Sequence, residues 1–196
     1  FDISLQFIGN GGTEVMRQAF RSAATRWRSV ITGDVHTDRL VAGAGSCASW
    51  QPAVDSTVND VLIWARIAPI DGVNNILARA GPCYVNSDSR LTIAGIMEFD
   101  EADLPTLINN GGIVDVITHE MGHVLGLGTL WNFGGRSLLV GSGGADPYFQ
   151  GAAGRAGFTA VNSVLYSGNP VPVENSGGSG TRDSHWREST FGRELM

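Results

Sequence analysis

Two histidines four residues apart, His119 and His123, sit inside a stretch whose apolar positions recur with the period of an α-helix. Ile113, Val116, Ile117, Met121, Val124 and Leu125 share one face of a helix predicted over 113–127, and Gly126 is placed to end it. Residues i and i+4 are neighbours on a helix surface, so the two imidazoles can hold one metal ion together. Glu120 is rotated about 100° from His119, which lets its carboxylate reach a water at that ion without ligating it. Gly122 in mid-helix costs on the order of 1 kcal/mol against Ala, which points to a close approach there. In a chain with four His, this arrangement arises by chance roughly 0.003 times.

The rest of the pattern supplies a frame for that helix. Residues 1–8 alternate Ile3, Leu5 and Phe7 with polar neighbours, as a half-buried strand does. After Asn10-Gly11-Gly12, a second amphipathic helix is predicted over 13–31, with Thr13 as N-cap and Arg17, Arg21, Arg26 and Arg28 on its outer face. Residues 58–67 and 91–99 read as strands. The segment 71–82 between them reads as loop, because Asp71-Gly72 and Gly81-Pro82 signal turns. A short helical turn at 103–109 has Pro105 near its start. This order predicts an α+β layering, a mixed twisted sheet carrying two long helices. Residues 129–184, rich in Gly, Ser and Asn with short apolar runs such as 158–166, predict a loop-dominated second lobe. The expectation is one domain over 1–196, with lobes 1–128 and 129–196.

Composition narrows the function classes. At 196 residues the chain is long enough to bury a core unaided. A hydrophobic share of 42% and a mean hydropathy of +0.02 fit a soluble globular protein, and no apolar run approaches the roughly 18 residues of a membrane span. A net charge of −6 disfavours nucleic acid as a partner. The chain opens at Phe1 without an initiator Met or signal segment, and reads as a mature or trimmed product. Cys47 and Cys83 are an even pair. In an exported protein they form a disulfide, which contributes roughly 3–4 kcal/mol. Two free thiols, or one thiolate ligating metal, are the alternatives. The expected compartment is extracellular and the expected state monomeric.

A catalytic zinc site takes three protein ligands and leaves a fourth position for water. Of the two other histidines, His36 lies in the polar stretch 34–38 and reads as surface, while His185 follows a Gly-Gly-Ser-Gly tract and precedes Trp186. On residue chemistry alone His185 competes with Glu174, Asp146 and Glu188 for the third place.

The stretch from His119 to Gly126 resembles the start of the metzincin signature, H-E-x-x-H-x-x-G. That signature places its third ligand three residues after the Gly, where this chain has Thr129. The leishmanolysin branch carries a long insertion at that point, and the chain resembles it. Gly126 is followed by a Gly-rich insertion, then Pro172-Val173-Glu174-Asn175, Gly177-Gly178-Ser179-Gly180-Thr181, Ser184-His185-Trp186-Arg187-Glu188 and Glu194-Leu195-Met196. The resemblance implies a metzincin-like fold with zinc in the cleft between the lobes. It makes His185 the third ligand and Met196 the methionine of the turn beneath the metal. Relatives continue beyond this methionine, which implies a chain truncated after Met196.

The function expected is zinc-dependent hydrolysis of internal peptide bonds, with Glu120 taking a proton from water and delivering it to the leaving amine. The substrate is a protein or peptide. It is expected to pair with an edge strand at 91–99, through Ile93, Gly95 and Met97; an ordinary core strand is the competing reading. A calcium ion is a further expectation from the oxygen-rich clusters at 71–75 and 100–103. Two rival readings stand beside the peptidase: a metal-dependent amidase or deformylase with Cys83 as third ligand, and a non-catalytic module with structural zinc, which needs a fourth protein ligand.

Overall fold

Alternation in β1 (Ile3–Ile8) and the apolar run 61–65 that opens β4 (Val61–Ala68) set the sheet that carries the first half of the chain. The computed structural model describes residues 1–9, 12–35, 37–161, 168–192 and 194–196, so His36 lies outside the described residues. The chain divides into two compact units, Phe1–Gly126 and Leu127–Met196.

In the first unit, β1, β4, β5 (Ala78–Val85) and β6 (Thr92–Asp100) form a sheet in the order β1-β4-β6-β5. β1, β4 and β6 run parallel and β5 antiparallel. Helix α1 (Glu14–Val30) starts where the Thr13 hydroxyl accepts the Met16 N–H at 3.3 Å, a one-bond N-cap. Its Met16, Ala19, Phe20, Ala23 and Ala24 meet Ile3, Ile63, Ala65, Met97 and Phe99 from the sheet. Helix α3 (Ile113–Leu125) joins the same core through Ile113, Ile117, Met121 and Val124, spaced as one helical face. The short α2 (Leu104–Asn109) leads into it. On the opposite face, Trp64 and Ala94 pack with Leu40 and Val58 of the antiparallel pair β2 (Asp38–Ala42) and β3 (Val54–Val58). The Cys47–Cys83 disulfide, with a Cα–Cα distance of 5.6 Å, ties the β2–β3 connection to β5.

The second unit is built from short pieces. A three-stranded sheet in the order β7 (Leu139–Val140), β8 (Tyr148–Phe149), β9 (Val171–Pro172) is joined by α4 (Ala152–Val161) and α5 (Glu188–Phe191). Stacked aromatics hold it: Trp131 lies 5.0 Å from Trp186, and both contact Phe149. No helix among the described residues is long and apolar enough to cross a membrane.

Three expectations are corrected. The segment 71–82 is not loop throughout, since β5 begins at Ala78 and runs through Gly81-Pro82. An edge strand tolerates a proline because one side of its ladder is unpaired, and the register shifts between Pro82 and Tyr84. Val58 belongs to β3, and β4 starts only at Val61. Finally, β6 is an interior strand bonded to both β4 and β5. Ile93, Gly95 and Met97 therefore have no free backbone edge to which an extended peptide could add, and Met97 is fully buried.

Candidate metal centre

The helix pattern that buries Ile117, Met121 and Val124 fixes where the histidines of α3 point. His119 and His123 lie two residues beyond Ile117 and Met121, about 200° round the helix, and so turn away from the core. Their rings meet edge to face with centroids 4.8 Å apart, and His123 is buried. Glu120 lies about 60° from both Ile117 and His123 around the axis, between the core side and the histidine side. Burial pushes its carboxyl up to about 7.

Bonds from neighbouring elements hold α3 in place. The Trp27 indole of α1 donates to the Thr118 carbonyl at 2.9 Å, one residue before His119. The Thr92 hydroxyl of β6 donates to the Val124 carbonyl at 2.7 Å, one residue after His123. Gly95 matters through what it lacks: a Cβ there would lie 2.6 Å from Val124 Cγ1 and 2.5 Å from the Gly81 carbonyl oxygen. A close approach to the helix thus occurs at Gly95, under Val124. Gly126 closes α3 in the left-handed region at φ 112, where its N–H reaches the Gly122 and His123 carbonyls.

His185 is held within the second unit. Its Nδ1 lies 2.9 Å from the Thr181 carbonyl oxygen. A carbonyl only accepts, so Nδ1 carries the proton and Nε2 keeps the lone pair that a metal requires. Asp183 adopts φ 66, and its carboxylate accepts from the Ser142 hydroxyl and the Gly143 N–H. Met196 is buried, and its carbonyl accepts the Trp186 N–H at 3.1 Å.

One ligand atom from each of His119, His123 and His185 lies within 4.8 Å of the others. Three nitrogens each about 2.0–2.1 Å from one zinc are at most about 4.2 Å apart, so the set fits the ion after sub-ångström adjustment. Among the described residues no other His, Cys, Asp or Glu joins the group. Two of the three carboxylates weighed against His185 have other roles. Asp146 pairs with Arg187 at 2.6 Å, and Glu174 accepts four hydrogen bonds from its own unit. Cys83 is closed in the disulfide, which removes the third donor of the amidase reading.

The calcium expectation finds no support. Asp100 Oδ1 accepts the Ala102 N–H and its Oδ2 accepts those of Ile70, Asp71 and Gly72. The Ala102 bond, then those of Asp71, Gly72 and Ile70, hold this carboxyl near 2. Asp103 accepts from Asn74 and Asp71 from Ile76. These carboxylates organise a turn through backbone amides rather than forming an ion cage. Thr181 escapes a reading of the sequence because it acts through its main-chain carbonyl, which every residue carries; Trp27 and Thr92 escape it because the acceptors of their side chains are main-chain carbonyls, which no residue type marks.

Two comparisons with known proteins bear on the chain. The family model described as Leishmanolysin matches residues 34–137, slightly more than half of the chain, and so takes in all of α3. A comparison with curated proteins gives no match.

Proposed function

Because the chain belongs to the leishmanolysin family of metallopeptidases, we propose that it is a secreted zinc-dependent endopeptidase acting on protein or peptide substrates. His119, His123 and His185 are the ligands, and Glu120 is the general base. The observation that carries this reading is the set of three imidazole donors within 4.8 Å of one another. A fourth protein ligand would be needed for a purely structural zinc. The Cys47–Cys83 disulfide supports an extracellular setting.

When bound, zinc supplies Lewis acidity toward a carbonyl oxygen and toward water. The protein's own part is positioning and proton transfer. His119 and His123 are fixed relative to each other by a single helix turn, and the Thr181 carbonyl sets the tautomer of His185. Glu120 accepts the proton that water loses on attacking the scissile carbonyl and passes it to the departing amine. Its burial disfavours the carboxylate, which suits a group that must hold a proton transiently near neutrality. Met196 supports the site by packing.

The test is zinc content together with cleavage of a denatured protein, with and without a chelator. Glu120→Gln is expected to keep one zinc per chain and the fold while losing about 10²–10⁴ of the turnover. His185→Ala is expected to lose the zinc. Undiminished cleavage by Glu120→Gln, or cleavage indifferent to the chelator, overturns the proposal.

A further inference from the structure

In the sequence Glu174 competes with His185 for the metal; its surroundings give it a different task. The side chain is buried, with the residue 7% exposed. Oε1 accepts the Asn175 N–H at 3.0 Å, the Ser176 N–H at 2.9 Å and the Ser176 hydroxyl at 2.6 Å. Oε2 accepts the Glu188 N–H at 3.0 Å. Among the described residues no ion pair reaches Glu174; neutral donors from both sides of the loop solvate its charge. A carboxylate alone meets this demand, since all four partners donate.

The main chain of Glu174 completes the hold. Its N–H donates to the His185 carbonyl at 2.9 Å, and its carbonyl accepts the Asp183 N–H at 2.9 Å. Its neighbour Val173 bridges Trp186 in antiparallel fashion. One residue therefore grips the chain before His185 through backbone, at His185 through backbone, and three residues beyond it through its side chain. From the other side, Gly128 presses on the residue before His185. A Cβ on Gly128 would fall 2.1 Å from the Ser184 carbonyl oxygen, so only glycine leaves this space.

We infer that Glu174 is a positioning residue that fixes the His185 segment before metal arrives, so that zinc affinity depends on it although it is not a ligand. The inference rests on the assignment of His185 as a ligand. A loop-borne third ligand otherwise loses binding energy to ordering its own backbone. Glu174 supplies that order in advance. Glu174→Gln keeps the shape but turns an N–H donor toward one or more of the four donors, and leaves at least one of them unpaired.

Zinc affinity of the wild type and of Glu174→Gln is measured by competition with a chromophoric chelator, and the visible spectrum of each is recorded with cobalt(II) in place of zinc. Glu174→Gln is expected to bind zinc 10–100-fold more weakly and to give an altered cobalt spectrum. Phe158→Leu, a destabilised control in α4, is expected to keep both at wild-type values. In the metal-free wild type, the Asp183 and Glu188 amides are expected to be protected from hydrogen exchange, which tests the same point without any variant. Wild-type affinity and an unchanged cobalt spectrum in Glu174→Gln, or free exchange of those two amides, overturns the inference and leaves the peptidase reading standing. A wild-type chain that takes up no zinc overturns both.

Discussion

Placing an alanine at position 95 tests how tightly β6, β5 and the histidine helix are locked together. The added methyl would meet Val124 Cγ1 at 2.6 Å and the Gly81 carbonyl oxygen at 2.5 Å, both closer than real Cβ contacts come. The valine methyl can swing away by changing rotamer. The carbonyl cannot, because Gly81 and Ile96 are paired in the β5–β6 ladder. Either β5 separates from β6 or α3 is displaced from the sheet, and overpacking of this kind costs about 1–3 kcal/mol. For a chain of this size each kcal/mol lowers Tm by about 2–4 °C, so a fall of about 2–12 °C is expected in thermal unfolding followed by circular dichroism. Gly81→Ala is the control, because a Cβ at that position meets nothing within 4 Å. It is expected to be neutral or mildly stabilising. Combining Gly95→Ala with Val124→Ala relieves the side-chain contact only, so the carbonyl part of the loss remains. A Gly95→Ala protein as stable as the wild type, or a Gly81→Ala protein equally damaged, refutes the reasoning.

Two further outcomes concern stability. Replacing Cys47 and Cys83 by Ser opens a loop with a sequence separation of 36; chain entropy puts the loss at roughly 3–4 kcal/mol, read by urea unfolding with and without reductant. Asp100 and Glu174 have folded-state carboxyls near 2, below their ordinary values of 3.8 and 4.5. The Ser176 hydroxyl, then the Glu188, Ser176 and Asn175 amides, lower Glu174. A depressed folded pKa means that their contribution is complete above the ordinary values and disappears as pH falls toward 2. Acid titration of unfolding should thus steepen between about pH 4.5 and 2, and Asp100→Asn should flatten that segment. An unchanged slope in Asp100→Asn would assign acid sensitivity elsewhere.

What the sequence disclosed and what it hid follow from the range of the forces involved. The helix of His119 and His123 was legible because its burial is periodic, and α1 was legible for the same reason down to its Thr13 cap. The strand β5 was not, because Gly81-Pro82 signals a turn locally and only its place at the sheet edge permits it. The pair β2–β3 hid behind its composition: Arg39, Ser56 and Thr57 are polar, and within β2 only Leu40 is buried. Mistaking β6 for an edge has a related cause, since alternation in one strand says nothing of how many neighbours it has. At the site, residue chemistry left His185 competing with carboxylates and family resemblance singled it out, while the bonds of Glu174 and Thr181 depend on which main-chain atoms lie beside them.

The abrupt stop of α3 at Gly126 also has an electrostatic consequence. A helix gathers its negative pole, roughly half an elementary charge, at its last carbonyls. Because α3 ends two residues after His123, that pole falls within a turn of the imidazole, where it favours a positive charge by typically 0.3–1 kcal/mol. One more helical turn would carry it about 5.4 Å further away. A single glycine in a left-handed conformation therefore decides how attractive this end of the helix is to a cation.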